Sequence, residues 1–164
     1  MMDFSDTADT AVLAPPAADE ASDLVAVGER IVHAVSFTRE DISRFAHLTL
    51  DRNPVHHSLD AARRAGHVDV IASGQQTSAL MSGLAASHFS RTDDGVAREM
   101  LCLNFNFAYR EPIPAGRELT LEWQVASTEW SESLHGVVAQ LEGRAGCAGR
   151  TAVVARGTVL VRHA

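Results

Sequence analysis

The sequence predicts an α+β fold in which an antiparallel sheet wraps around one central helix. Residues 75–89 (QQTSALMSGLAASHF) are small or apolar on nearly every side, which is typical of a buried helix. From Met100 onward, apolar and polar residues alternate with the period of two that is typical of strands, in runs at 101–108, 119–125, 134–142 and 150–162. Gly-containing turns separate the later runs, so we expect the C-terminal half to form an antiparallel meander.

Composition limits the classes of protein to which the chain can belong. Its 164 residues, 46% of them hydrophobic, fit one domain with a core of its own. The formal net charge is -7 and no basic face is visible, so we expect no nucleic-acid partner. Cys102 and Cys147 are too few and too far apart for a disulfide framework or a zinc site. No signal peptide and no apolar run of about 18 residues is present, so we expect a cytoplasmic protein without a membrane segment.

The N-terminal residues differ in composition from the remainder of the chain. Residues 1–26 are rich in Ala, Asp and Pro and bury little, which predicts a mobile extension, although Leu24 and Val25 could dock locally. The folded domain is expected to cover residues 27–164.

Short elements are expected between this extension and the central helix. Thr38 and Asp41 have the spacing of a capping box, so a helix should begin directly after Thr38. Ser73 and Gly74 open the central helix. In chain order we expect a strand at 32–37, a helix at 39–48, a loop at 51–57, a short helix at 59–65 and an apolar run at 68–72.

The loop carries the residues with the clearest chemical meaning. Asp51 and His56 stand at the two ends of the hexapeptide DRNPVH, and Pro54 stiffens the turn between them by fixing its own φ and keeping Asn53 out of a helical conformation. A carboxylate and an imidazole on such a turn can share one water or one substrate proton. By spacing alone, a structural explanation remains open, in which Asp51 caps a helix end and His56 packs.

The start of the central helix is the second candidate feature. Unpaired N–H groups and the positive end of the helix dipole suit a developing oxyanion, and Gly74 lets a ligand approach the backbone closely. The alternative is a plain helix start with Ser73 as its N-cap. Ser82, two turns into the helix, could bond a catalytic side chain or merely its own backbone.

Three segments taken together resemble one known family. FTREDISRFAHLTLDRNPVHHS, SGQQTSALMSG and FNFAYREPIPAGREL follow one another as in the MaoC-like, hydratase-2 branch of the hot-dog fold, and the resemblance runs from about Val35 to Val125. It implies that Asp51 and His56 are catalytic and that Gly74 supplies the oxyanion-binding N–H. It also implies that Asn53 supports the loop and that Ser82 supports the site.

Two positions depart from the pattern of that family. Ser73 stands where the family usually has His before the glycine, and Arg117 stands where it usually has Asp after Gly116. The first departure lies next to the expected oxyanion site and bears on the mouth of the pocket and the substrate type. The second lies in a turn remote from the Asp51–His56 motif.

The resemblance also implies an activity and partners. The family hydrates trans-2-enoyl thioesters reversibly to (R)-3-hydroxyacyl thioesters, with CoA or acyl-carrier protein as the substrate's handle and with no metal or redox cofactor. A homodimer is expected. Arg63, Arg64 and Arg110 are candidates for the CoA phosphates, although each could equally belong to a solvated face. The alternatives are a hot-dog acyl-CoA thioesterase, against which the Asn-Pro between Asp51 and His56 argues, and a non-catalytic acyl-binding or partner subunit, which typically lacks the Asp or the His.

Overall fold

The computed structural model describes residues 23–164 and confirms the predicted α+β arrangement of one long helix against an antiparallel sheet. The capping box at Thr38 is present, since its hydroxyl accepts from the Asp41 N–H and the Asp41 carboxylate accepts from the Thr38 N–H. In chain order the elements are β1 (Arg30–Ser36), α1 (Arg39–Leu48), a 3-10 turn (Pro54–His56), α2 (Leu59–Arg64), α3 (Gly74–Phe89), β2 (Arg98–Tyr109), β3 (Glu118–Ser131), β4 (Gly136–Cys147) and β5 (Arg150–His163).

The sheet corrects the predicted meander at one strand. Its order is β1-β3-β4-β5-β2, so β3, β4 and β5 form a meander, whereas β2 lies at an edge against β5. The connection between β2 and β3 does not form a hairpin because it pairs elsewhere. The Ala72 N–H donates to the Ile113 carbonyl and the Ala115 N–H donates to the Val70 carbonyl. These bonds hold the link between β2 and β3 where it crosses the end of the sheet.

The alternating pattern of β2 also changes face partway along the strand. Leu101 and Leu103 are exposed, whereas Phe105 and Phe107 pack against the core. The pairing of β2 with β5 shifts register between Cys102 and Asn104, and a shift of one residue moves every following side chain to the opposite face of a sheet. The predicted alternation over residues 101–108 therefore does not keep one set of side chains on the inner face along the whole strand.

One side of α3 lies in the core and the other does not. Met81, Ala85 and Phe89 are fully buried, and the Met81 carbonyl accepts a hydrogen bond of 2.9 Å from the indole of the buried Trp123. The expectation of a helix buried all round is wrong for this chain alone, because its sheet covers only one side. The exposed side is a line of four residues one turn apart, Gln75, Ala79, Gly83 and Ser87.

The end of the predicted N-terminal extension belongs to the packed domain. Residues 1–22 lie outside the described residues, so the extension stays a prediction there. Leu24 and Val25 are buried in the core. The Arg98 guanidinium donates to the Leu24 carbonyl at 3.1 Å and to the Asp23 carbonyl at 2.7 Å. It also donates to Asp94, and this hydrogen bond holds the pKa of that carboxyl well below its usual range.

Glu29 forms a second ionic contact beside this segment. Burial alone raises the pKa of its carboxyl. A hydrogen bond with His88, another from the Ala26 N–H and the charge of Arg91 outweigh that effect and lower the pKa. Both this contact and the Arg98 contact hold residues 23–29 against α3 and β2.

Candidate active site

The end of α1 sets the direction of the loop that carries Asp51. The Asp51 N–H donates to the Ala46 carbonyl at 2.8 Å and the Leu50 N–H donates to the His47 carbonyl at 3.2 Å, which together are a Schellman motif. Leu50 occupies the left-handed position of that motif, with φ of 58°, where glycine is usual. The chain therefore turns sharply at Leu50, and the Asp51 side chain points into the loop.

The loop itself is held by two short-range hydrogen bonds. The Asp51 carboxylate accepts from the Asn53 N–H at 2.9 Å, and the Asn53 amide oxygen accepts from the Val55 N–H at 3.4 Å. Asn53 is thus the N-cap of the 3-10 turn that begins at Pro54. These contacts are those of a residue that supports the loop.

His56 is buried and held in one tautomer. Its Nδ1 lies 2.7 Å from the Ile71 carbonyl oxygen. Because a carbonyl only accepts, Nδ1 carries a proton, and in the neutral form of the ring the lone pair is therefore on Nε2. That Nε2 lies 3.4 Å from the Asp51 Oδ2, so the structure brings the predicted acid–base pair together. One water can contact both atoms, which suits proton transfer to or from a bound molecule.

Gly74 lies at the start of α3 and contributes to the same cleft. Ser73 is the N-cap, and its hydroxyl accepts from the Gln76 N–H at 3.3 Å. No acceptor in residues 23–164 binds the Gly74 N–H, so this donor is available to a ligand. The cleft encloses about 360 Å³ and is lined by His56, Ile71, Ala72, Gly74, Gln75, Tyr109, Arg110, Glu111, Pro112, Ile113 and Val153.

Asp51 does not itself line this cleft, but its carboxylate contacts His56, which does. The other predicted residues are not all brought to the cleft either. Ser82 donates to the Ser78 carbonyl at 2.8 Å, one turn back along α3, and makes no hydrogen bond to Asp51 or His56. Arg110 lines the cleft, whereas Arg63 and Arg64 lie exposed in the last turn of α2 and do not line it.

Sequence reasoning assigned no role to Tyr109. It is the last residue of β2, it lines the cleft, and its hydroxyl lies 2.6 Å from that of Ser78. The sequence signal that could have indicated it is its place in the segment FNFAYREPIP. There the alternating pattern of β2 ends at Tyr109, and the proline-containing link to β3 follows.

Two broader features concern ligands and membranes. Among residues 23–164, no three His, Cys, Asp or Glu side chains lie close enough together to hold a metal ion. Within the same range no helix has the length and apolar character needed to cross a bilayer.

Comparison with known sequences identifies a family. The model of the family described as "MaoC like domain" matches residues 23–143. A mitochondrial 3-hydroxyacyl-[acyl-carrier-protein] dehydratase of Solanum lycopersicum is 28% identical over 106 residues, which are 65% of this chain and 59% of that protein. The match thus spans less than two thirds of that relative's length.

Comparison with solved structures agrees on the hot-dog fold. An (R)-hydratase from A. caviae involved in PHA biosynthesis superposes with a TM-score of 0.71 at 23% identity and covers 82% of this chain and 96% of its own. A chain of the ChsH1-ChsH2 complex from Mycobacterium tuberculosis superposes with a TM-score of 0.70 at 17% identity and covers 84% and 99% respectively.

Proposed function

The chain belongs to the family of MaoC-like domains, and from that premise we propose that it hydrates a trans-2-enoyl thioester reversibly to an (R)-3-hydroxyacyl thioester. The observation that carries the proposal is the contact of 3.4 Å between the Asp51 carboxylate and the Nε2 of His56, whose tautomer the Ile71 carbonyl fixes. A non-catalytic subunit has no need of such a pair. The named activities of the tomato relative and of the A. caviae structure belong to the same reaction class.

The proposed mechanism assigns roles to Asp51, to His56 and to the backbone of Gly74. Asp51 and His56 hold a water molecule, and one of them takes its proton while the oxygen forms a bond to C3 of the substrate. The C2–C3 double bond becomes an enolate whose negative charge develops on the thioester oxygen, and the Gly74 N–H stabilises that charge. The pair then delivers a proton to C2 on the same face, which completes the addition of water without net oxidation.

Arg110 is the candidate for binding the carrier of the acyl group. It is exposed and lines the cleft beside His56 and Gly74. Both CoA and the phosphopantetheine of acyl-carrier protein are anionic, and a protein with a net charge of -7 needs a local cation to bind them. We expect Arg110→Ala to raise KM for crotonyl-CoA and to leave KM for an uncharged crotonyl thioester unchanged.

We propose a homodimer that forms through the β2 edge of the sheet. β2 has a neighbour on one side only, and Leu101 and Leu103 expose 45% and 48% of their surface beside that edge. Long exposed edges of this kind favour pairing with another strand. Light scattering should give twice the chain mass of 17.6 kDa. A monomer that gains mass only with a related chain would favour a two-protein complex instead.

A cytoplasmic location likewise stays a prediction, which a tagged chain would test.

Hydration of crotonyl-CoA is the test of the proposed activity. Loss of the enoyl-thioester absorbance without release of free thiol supports the hydratase, whereas thiol release would indicate a thioesterase. Asp51→Asn and His56→Ala should each lower turnover by about 10²–10⁴-fold without loss of the fold. His163→Ala is the matched control, because it removes an exposed imidazole at the end of β5. Ordinary turnover in either site variant would overturn the assignment of the pair.

A further inference from the structure

The ring of Tyr109 rests directly against the start of α3. A Cβ atom placed on Gly74 would lie 2.6 Å from Cε1 of Tyr109 and 2.8 Å from Cδ1 and Cζ, distances that no real side chain tolerates. The ring therefore occupies the space that a side chain at position 74 would need. Because Tyr109 ends β2, this contact joins the sheet to the first turn of the helix.

The hydroxyl of Tyr109 reaches the same turn by a directed chain of hydrogen bonds. The Ser78 Oγ lies 3.1 Å from the Gly74 carbonyl oxygen, and since a carbonyl only accepts, Ser78 donates its one hydroxyl proton there. Ser78 must then accept from the Tyr109 O–H, at 2.6 Å. The ring of Tyr109 thus contacts Gly74 directly and its hydroxyl reaches Gly74 through Ser78, and Gly74 lines the cleft with an N–H that has no acceptor among residues 23–164.

We propose that Tyr109 is a positioning residue, which fixes the Gly74 N–H at the wall of the cleft. It does so through the ring contact and through the chain of hydrogen bonds from its hydroxyl by way of Ser78 to the Gly74 carbonyl, called the Ser78 relay below. The inference rests on the proposed function, because it gives that N–H the thioester oxygen as its acceptor. A hydrogen-bond donor stabilises a developing oxyanion only when it is held at the right distance beforehand, and misplacement by about 1 Å can cost about 10²-fold in rate.

A merely structural role would give a different result. Tyr109 is 49% exposed and its bond to Ser78 is open to solvent, so breaking that bond should change stability little. Activity is where the positioning role should appear, with the loss in kcat rather than in KM, since the N–H contributes most when charge develops on the oxygen.

A double-mutant cycle on crotonyl-CoA hydration tests the relay. Tyr109→Phe keeps the ring and removes its hydroxyl, and Ser78→Ala removes the second hydroxyl of the relay. We expect each to lower kcat about tenfold with KM within about twofold, and the double variant to be no worse than either alone, because the two groups act as one chain. Ser87→Ala, which removes an exposed hydroxyl from the same helix, should match the wild type.

Four results of these measurements would overturn the proposal. The first three are a wild-type kcat in Tyr109→Phe, a loss of activity that appears only as a higher KM, and a double variant about a hundredfold slower, which would show that the two hydroxyls act independently. The fourth is a loss of kcat that parallels a fall in Tm across all the variants, which would show a structural role.

A second measurement does not depend on turnover. Tyr109 is the only tyrosine of the chain, so ring-labelled tyrosine gives NMR signals from this one residue. Titration with butyryl-CoA, the saturated analogue, should shift those signals saturably, and Ser78→Ala should shift them in the free protein. If the wild type hydrates crotonyl-CoA but neither shift occurs, the positioning role alone fails. If no enoyl thioester is hydrated, the proposed function fails, and the positioning role fails with it.

Discussion

Replacing Gly74 with alanine measures how tightly the Tyr109 ring is packed against the first turn of α3. The new methyl group would lie 2.6 Å from Cε1, so the ring must retreat by about 0.8 Å to reach ordinary contact at 3.4 Å. Overpacking of this kind costs about 1–3 kcal/mol. The φ of Gly74 is not positive, so alanine fits the backbone and also stabilises by about 0.4–1 kcal/mol through the unfolded chain. We therefore expect a net loss of about 1.3 kcal/mol in the free energy of unfolding, within a range of about 0–2.6 kcal/mol.

The matched control is Gly83→Ala on the exposed side of the same helix. A Cβ there meets nothing within 4 Å, so the substitution should raise the free energy of unfolding by about 0.5–1 kcal/mol. Urea titrations of both variants are then repeated in a Tyr109→Ala background. Without the ring, Gly74→Ala should become stabilising, whereas the effect of Gly83→Ala should stay the same. The difference between backgrounds isolates the contact between the methyl group and the ring.

The crotonyl-CoA assay completes this test. A displaced ring pulls its hydroxyl from Ser78, so Gly74→Ala should lower kcat about tenfold or more even where the protein remains folded. If Gly74→Ala stabilises the wild-type background as much as Gly83→Ala does, the ring does not press on this turn and the reasoning is refuted.

Three further predictions concern stability. Leu50→Gly should raise the free energy of unfolding by up to about 1 kcal/mol in urea titrations, because Leu50 is exposed and holds a positive φ, whereas Leu50→Val should lower it. The pKa values of Glu29 and Asp94 are lowered from ordinary values of 4.5 and 3.8, so the stability that these carboxylates contribute is present above those values and should be lost in melting curves as pH falls below them. A chain that starts at residue 26 lacks the buried Leu24 and Val25 and should lose about 3–6 kcal/mol relative to one that starts at 23; an unchanged Tm would contradict their place in the core.

The elements of this fold were predictable where local chemistry decides them. The capping box at Thr38 begins α1, and the alternation of Leu119, Leu121 and Trp123 places the inner face of β3 correctly. The place of β2 was not predictable from its own residues, because it depends on which strand remains free after β3, β4 and β5 have paired. The change of face within β2 likewise needs the register of β5.

The same distinction between local chemistry and the rest of the fold applies to the candidate site. Asp51 and His56 lie on one short loop, so their spacing and Pro54 indicated that they come within reach of each other, although a purely structural role stayed open. The resemblance implied that Ser82 supports the site. In the structure its hydroxyl donates to the Ser78 carbonyl of its own helix. Tyr109 escaped prediction because its partner Ser78 lies 31 positions away, and only the folded chain brings them together.

The link between β2 and β3 explains why the Asp51–His56 loop and the end of β2 at Tyr109 lie beside the same cleft, although they are far apart in the sequence. Pro114 bridges to Ile71, and the Ile71 carbonyl fixes the tautomer of His56. The same link begins directly after Tyr109, whose ring and hydroxyl hold Gly74. Either motif alone has an ordinary structural explanation, as a helix end or as a strand end. Together they bring the His56 imidazole and the Gly74 backbone to one cleft, and the proposed hydration of a thioester depends on this joint arrangement rather than on either motif by itself.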